Sequence, residues 1–365
     1  MSRWIDFSIA ERKAMIQRVI DMRHIDEMAA EKDWWVTSVL YALFHTSIAK
    51  FLIFKGGTSL SKGWDLINRF SEDVDVALDR SYFLEVKGES CAKCTSNTQI
   101  HHLREKGHDF ILNELKEELK TVLSEMGLTD VIVFGENEQK DEDGNPMKVD
   151  HDKDPSVIFV QYPSLYSGAE SYASPVVKIE ISVLSMSEPF EIKRISSLIN
   201  QTFAAEGIAV DEAFAMEVKT VSPARTFLEK AFLLCEEFQK EKPRTRRLTR
   251  HFYDLERLSH TDYAAQALAD ATLYHDIVEH RKKFYHVGYV DYSKELPETI
   301  TILPPDNLLA SYEADYKDMQ SSFIYAESLS FDELMQAMKV LQNRFRGVAI
   351  KIMRGGFPII DKEGV

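Results

Sequence analysis

Cysteine is scarce, at three residues in 365. Three thiols cannot make a disulfide framework, so the chain reads as reduced and cytoplasmic. Glycine and proline are also few, at 15 and 11, which excludes collagen-like and low-complexity classes. With 44% apolar residues the chain has ample material for a core and does not read as disordered. Long apolar runs are missing. The longest, 34–44 and 51–54, fall short of the ~20 residues that a membrane-spanning helix needs. The opening Met1-Ser-Arg-Trp-Ile-Asp lacks the apolar centre of a signal peptide. Positive charge is in deficit, with 44 Lys and Arg against 59 Asp and Glu, a net −15. A global field of that sign does not coat nucleic acid. It leaves open a nucleic-acid substrate met through a local basic patch or through bound metal.

At ~150 residues per domain the length suggests two or three domains. Apolar spacing predicts helices over 5–21 and 34–44, and again over 99–126. Between them, Phe51-Leu-Ile-Phe-Lys-Gly-Gly-Thr-Ser-Leu is a short apolar run meeting two glycines, followed by a helix expected to reach Leu66. Residues 73–78 alternate strictly and read as a strand. Residues 135–155 are polar, acidic and broken by Gly144, Pro146 and Pro155, a loop. Strands are expected over 157–162 and 176–184, with a Ser/Tyr/Pro turn region between them. From Asp211 onward the pattern is helical, over 223–240, 243–258, 261–285, 306–325 and 331–346. The expected class is α+β with mostly antiparallel strands, its boundary near residue 205: an α+β half over 1–205 and a helical half over 206–365.

Alternation on two strands brings out three acids. In Asp73-Val-Asp-Val-Ala-Leu, Val74, Val76 and Leu78 share one face. Asp73 and Asp75 share the other, about 7 Å apart along the strand. In Val177-Lys-Ile-Glu-Ile-Ser-Val, residues Val177, Ile179, Ile181 and Val183 bury, while Lys178, Glu180 and Ser182 face the other way. If the two strands are neighbours, Asp73, Asp75 and Glu180 converge on one polar face. Clustered carboxylates repel unless cations sit between them. Mg²⁺ suits such oxygen ligands and completes its shell with phosphate and water, and two such ions activate a hydroxyl and hold a leaving pyrophosphate. Upstream, Gly56 and Gly57 permit close approach of backbone to phosphate, and Thr58 and Ser59 add hydroxyls at a helix start. Alone, Gly-Gly-Thr-Ser is an ordinary turn and cap, and Asp-x-Asp is common on solvated strands. Together, with a later acid on an alternating strand, they have the layout of the DNA polymerase β-like nucleotidyltransferases.

At the level of whole motifs, Phe54-Lys-Gly-Gly-Thr-Ser-Leu-Ser-Lys and Arg69-Phe-Ser-Glu-Asp-Val-Asp-Val-Ala-Leu strongly resemble the AbiEii/AbiGii toxin family. These are minimal nucleotidyltransferases of bacterial abortive-infection and type IV toxin–antitoxin systems, related to the MenT toxins. Glu31-Lys-Asp-Trp-Trp-Val-Thr, Val177-Lys-Ile-Glu, Val221-Ser-Pro-Ala-Arg-Thr-Phe-Leu-Glu-Lys and Arg250-His-Phe-Tyr-Asp-Leu resemble the same family. The likeness spans residues 30–260. It implies a polymerase β-like nucleotidyltransferase core with a helical C-terminal domain that contributes to the active site. It implies Mg²⁺ or Mn²⁺ on Asp73, Asp75 and Glu180, and an NTP held by Gly56, Gly57, Thr58, Ser59 and Ser71. It also implies two residues in the helical half, Lys230 and Asp254. His251 stands where many relatives carry an acid. The implied acceptor is the 3′ end of tRNA, whose extension blocks charging and stops translation. An antitoxin encoded nearby is implied too, often acting without stable binding. Nucleotide transfer to a protein side chain and a non-catalytic NTP-binding module are the alternative readings.

The residues themselves leave Lys230 two readings. Ser222-Pro223 is a good helix start, Phe227, Ala231, Leu234 and Phe238 make a buried stripe, and Lys230 lies at its border. There it either reaches a triphosphate as a point charge or snorkels off an amphipathic helix. On the next expected helix, Arg247, His251 and Asp254 share a face. Asp254 either orients Lys230 or a nucleotide group, or makes a surface pair with Arg250. Lys242, Arg244, Arg246, Arg247 and Arg250 put five cations into nine residues, the densest basic run in the chain. That run is the candidate wall for RNA phosphates, against the alternative of a solvated helix start. Cys91-Ala-Lys-Cys94 with His101, His102 and His108 lacks the second half of a zinc-finger spacing, and the loop at 141–144 lacks the first aspartate of an EF-hand. Trp34 and Trp35 are read as core.

Overall fold

The computed structural model describes residues 2–141, 144–145, 147–166 and 174–348. Proximity along the fold divides the chain into two compact units, Met1–Asp65 with Arg69–Val221, and Leu66–Asn68 with Ser222–Val365. The expected turn region between 162 and 176 falls largely outside the described residues, as do parts of the loop at 135–155 and everything after 348.

The first unit is built on a mixed sheet. It opens with α1 (Ile9–Arg23) and α2 (Glu27–Leu43), followed by β1 (Leu52–Lys55), α3 (Gly56–Lys62), β2 (Asp73–Leu78) and the short α4 (Ser81–Glu85). Then come α5 (Asn97–Phe110) and α6 (Lys116–Glu125), joined through one π-helical turn, and β3 (Ile132–Gly135), β4 (Ser156–Gln161) and β5 (Val176–Ser182). β6 (Phe190–Ile195), α7 (Leu198–Ala205) and β7 (Met216–Val221) complete it. The seven strands lie in the order β3-β4-β5-β2-β1-β7-β6. The β2–β5 and β1–β7 pairings are parallel and the other four antiparallel.

The alternation predicted for β2 and β5 holds. Val74, Val76, Val177, Ile179 and Ile181 are buried, while Asp73, Asp75, Lys178 and Glu180 are half-buried. α2 packs against both strands. Trp34 and Trp35 are core residues, and the Trp34 indole donates at 2.8 Å to Asp211, whose other oxygen accepts the Trp4 N–H at 2.8 Å. Burial pushes the Asp211 carboxyl up to about 6 against those two bonds.

Three strands run against the sequence reading. β3 and β6 were not anticipated, and β7 lies where a helical pattern was expected. β6 is an edge strand whose Glu191, Lys193 and Arg194 dilute its apolar signal. β7, by contrast, alternates Met216, Val218 and Thr220 inward with Glu217 and Lys219 outward, a pattern that was legible. Because β7 pairs with β1 and β6, the first unit ends at Val221, not near 205.

The second unit's described regular elements are helices: α8 (Pro223–Glu237), α9 (Thr249–Ser259), α10 (Asp262–Ala269), α11 (Ala271–His280), α12 (Leu309–Ser322) and α13 (Phe331–Arg346). Ser222 caps α8 with proline at its first position, as predicted. Of the expected stripe, Phe227, Ala231 and Leu234 are fully buried, while Phe238, just past the helix end, is half-buried; Phe227 stacks on Phe345 with ring centroids 5.4 Å apart. Expected helix over 243–258 begins only at Thr249. Glu237 holds the preceding segment out of helix, accepting the Arg244 N–H at 2.8 Å and its Nε at 2.9 Å. Arg247 adopts a left-handed φ of +59°. No helix among the described residues is long and apolar enough to cross a membrane.

Candidate active site

The parallel β2–β5 pairing sets Asp75 directly opposite Glu180 and Asp73 opposite Lys178. The antiparallel β1–β2 pairing sets Lys55 opposite Asp75. Opposed residues share a face, so a row of Lys55, Asp75 and Glu180 crosses three strands, with Asp73 and Lys178 beside it. Burial, and next the negative charge of Glu180, push the Asp75 carboxyl up to about 7, against the pull of Lys55. Burial also works to raise Glu180, but the Lys178 ammonium, bonded to its Oε1, and a hydrogen bond with Asp75 hold it below the usual carboxylate range. Of the two acids, Asp75 therefore takes up a proton more readily than Glu180. Lys178 is held charged because Glu180, Asp73 and Asp75 outweigh its desolvation.

Gly56 and Gly57 form the first turn of α3 against this row. Gly56 has a φ of +79°, and a Cβ there would lie 2.8 Å from the Asp75 Cβ. A side chain cannot fit, so the backbone rests on the carboxylate. At Gly57 an added Cβ would lie 2.6 Å from Arg69 Nη2 and 3.0 Å from Ser71 Oγ. Arg69 is buried and stands at the turn beside Ser71, a placement that the sequence reading did not assign. The two hydroxyls expected to face a ligand turn inward instead. Thr58 and Ser59 are fully buried. Thr58 Oγ1 donates to the Asp73 carbonyl at 2.5 Å with Ser71 Oγ at 2.9 Å, and Ser59 Oγ donates to the Gly56 carbonyl at 2.9 Å. Helix geometry explains the difference: the third and fourth residues of this helix, wedged against the sheet, point into it, and their hydroxyls satisfy local carbonyls.

Asp154 is a further acid on this side of the sheet. It accepts the Ser182 hydroxyl at 2.6 Å and the Val183 N–H at 2.8 Å, and burial raises its carboxyl despite both bonds. Lys55 and Asp154 had signals in the sequence, a charged residue ending an apolar strand and an acid before proline. Only strand pairing brings Lys55 to the row, and only its bonds to Ser182 and Val183 bring Asp154 to the end of β5.

The donor chemistry suits a hard divalent cation: carboxylate oxygens, with Asp75 raised by burial and by the charge of Glu180, so that a positive charge there is favoured. Among the described residues no three acidic, histidine or cysteine side chains stand at ligating spacing. In this conformation the Lys178 ammonium occupies one Glu180 oxygen. Cys91 and Cys94 are buried thiols outside any disulfide, His108 bonds Ser156 Oγ at 3.0 Å, and His101 is exposed on α5.

In the second unit, Lys230 Nζ lies 2.8 Å from Asp254 Oδ2, with side-chain exposures of 9% and 0%. The surface pairing of Asp254 with Arg250 is thereby replaced by a buried ion pair between α8 and α9. His251 is buried on the same helix. Arg247 lies before the helix and does not share its face; its N–H donates to Asp315 Oδ1 at 2.5 Å. Lys242, Arg244, Arg246 and Arg247 are exposed and Arg250 half-buried. Arg244 is tied to Glu237 at 2.9 Å.

The sequence model of the nucleotidyl transferase AbiEii toxin of type IV toxin–antitoxin systems matches residues 38–337. The chain belongs to the AbiEii family. A comparison with curated proteins gave no match. The AbiEii match contains both the carboxylate row and the Lys230–Asp254 pair, and runs well beyond residue 260. It begins after the Glu31-Lys-Asp-Trp-Trp stretch, which lies outside it. As an AbiEii toxin the chain is a nucleotidyl transferase, an enzyme of phosphorus-containing groups, with an NTP as its substrate and an antitoxin as its counterpart.

Proposed function

We propose that this AbiEii toxin transfers a nucleoside monophosphate to the 3′ hydroxyl of tRNA in a Mg²⁺-dependent reaction, and so inhibits translation. The observation that carries the site assignment is Asp75 opposite Glu180 with the Gly56 backbone seated on Asp75. Asp73, Asp75 and Glu180 would hold the metal. A divalent cation bound there supplies charge neutralisation on the phosphates and lowers the pKa of the attacking hydroxyl. The acceptor oxygen forms a bond to the α-phosphorus, the bond to the β-phosphate bridge breaks, and pyrophosphate leaves. Glu180, the more acidic partner, takes up the hydroxyl proton or completes the metal's shell. The first-turn backbone at Gly56 and Gly57, with Ser71, orients the β- and γ-phosphates. Thr58 and Ser59 support that turn from within. Lys230, held by Asp254, neutralises triphosphate charge.

The run from Lys242 to Arg250 is proposed as the phosphate-contacting wall for the acceptor. Its exposed cations offset locally a net charge of −15. Phosphate contacts position RNA without reading sequence.

Incubation of the protein with labelled NTPs, total cellular RNA and total protein tests the reading. Metal-dependent label in the tRNA fraction supports it. Label in protein assigns a protein acceptor. Nucleotide binding without transfer to either fraction overturns it.

A further inference from the structure

Glu31, Lys32 and Asp33 are three consecutive charged residues in the second turn of α2, with exposures of 1%, 2% and 7%. Charged side chains are almost never this buried unless paired. Successive helical residues point about 100° apart, so each meets a different segment. Glu31 accepts the Leu165 N–H at 2.7 Å and the Ser164 hydroxyl at 2.5 Å. Lys32 Nζ donates to Glu72 Oε2 at 2.7 Å and to the Ser174 carbonyl at 3.0 Å. Asp33 takes the Lys62 ammonium at 2.5 Å on one oxygen and the Leu198 N–H at 2.7 Å on the other.

The far ends of two of these bonds are the two halves of the candidate site. Glu72 immediately precedes Asp73, where the carboxylate strand begins. Lys62 is the last residue of α3, whose first turn rests on Asp75 and Ser71. Buried ion pairs seldom add stability over well-packed apolar side chains, and α2 packs against β2 and β5. What a charge pair supplies is a fixed distance and direction, and catalytic constellations tolerate only about 0.5 Å of error.

We propose that Lys32 and Asp33 are positioning residues for nucleotidyl transfer: Lys32 sets the carboxylate strand through Glu72, and Asp33 sets the glycine turn through Lys62. Neither touches the reacting atoms. The assignment rests on the proposed roles of Asp73 and Asp75 with metal and of Gly56 and Gly57 with the triphosphate.

The two pairs control different constants. The double variant Lys32→Met with Glu72→Met removes one pair without leaving a buried charge alone. It weakens Mn²⁺ binding measured by calorimetry without NTP, and raises the Mn²⁺ or Mg²⁺ concentration for half-maximal activity, by about 10-fold each, the scale seen when groups behind metal ligands are removed, and leaves KM for the NTP nearly unchanged. Asp33→Asn with Lys62→Met raises KM for the NTP by about 10-fold and leaves the metal requirement nearly unchanged. Glu31→Ala, on the same helix and as deeply buried, lowers the melting temperature and moves neither constant. Circular dichroism and melting temperatures establish that each variant is folded. Two folded double variants that shift both constants alike, or neither, overturn the positioning roles. Wild-type transfer that survives Asp75→Ala sinks the site reading itself and this proposal with it; transfer that depends on Asp75, with no split between the pairs, sinks the positioning roles alone.

Discussion

Asp75 and Glu180 stand opposite each other on neighbouring parallel strands, although 104 residues separate them in the chain, and burial with the charge of Glu180 raises the Asp75 carboxyl. The raised Asp75 carboxyl marks where positive charge is favoured. Replacing Asp75 with alanine removes a half-buried polar side chain and leaves the apolar core intact. The variant should fold, with a wild-type circular dichroism spectrum. It should lose at least 10²-fold in transfer, as loss of a preorganised electrostatic group does, and cellular toxicity should vanish with it. Near-normal turnover would refute the metal role.

The raised Asp75 carboxyl has a pH signature. Its folded value is about 7, whereas an unfolded aspartate titrates near 3.9. Between those values the folded state binds more protons than the unfolded state, so Asp75 makes stability fall as pH rises, by at most about 1.4 kcal/mol per unit. Glu180 has the opposite sign, because its folded value is depressed. Its contribution is present above the unfolded glutamate value near 4.3 and lost below it. Urea titrations from pH 4.5 to 8 without divalent metal cover the Asp75 window, which the raised Asp211 carboxyl shares, so the Asp75 part is the difference from an Asp75 variant. Asp75→Asn should flatten the slope there. Calorimetry in buffers of different ionisation enthalpy should show Mn²⁺ binding to wild type at pH 6.5 releasing close to one proton.

Gly56→Ala forces a Cβ into Asp75 at a left-handed φ. Strain of this kind costs roughly 1–3 kcal/mol, and the carboxylate is displaced as well. The expected result is a lower melting temperature together with loss of transfer. Gly57→Ala meets Arg69 and Ser71 and should raise KM for the NTP more than it lowers kcat.

Lys230→Ala leaves Asp254 fully buried without its ammonium. Breaking one side of a buried pair costs about 3–5 kcal/mol, so a fall in activity alone is ambiguous. Lys230→Met with Asp254→Leu removes the pair together and should recover most of the stability. If Lys230 neutralises phosphate charge, transfer stays down by on the order of 10²-fold in the recovered double variant. Recovered activity would assign the pair to packing of α8 on α9.

Arg246 is exposed and lies in the basic run. Arg246→Glu should weaken RNA binding at low salt and flatten the log–log salt dependence by ~0.7–0.9 for each phosphate that the variant no longer neutralises. All RNA acceptors should weaken alike, and free NTP binding should hold. Dissociation constants at several salt concentrations check this; unchanged slopes place the RNA elsewhere.

The sequence by itself determined which faces β2 and β5 present, because the period of two is a local property of extended backbone. Asp73, Asp75 and Glu180 were legible on that basis, as were the stripe of α8 and the turn at Gly56. Tertiary structure decided what stands next to what. Register set Asp75 against Glu180 and carried Lys55 into the same row, since pairing between distant strands is fixed by the whole sheet. The wedge of α3 against the sheet turned Thr58 and Ser59 inward, where spacing alone placed them at a phosphate. Anchors at Glu237 and Asp315 kept the basic run out of helix up to Arg247, with Arg250 alone on α9. Lys230 and Asp254 could be named from motifs, but only the packing of α8 on α9 made a buried pair of them. β7, patterned as a strand within a helical stretch, joined the first unit because β1 and β6 gave its backbone partners.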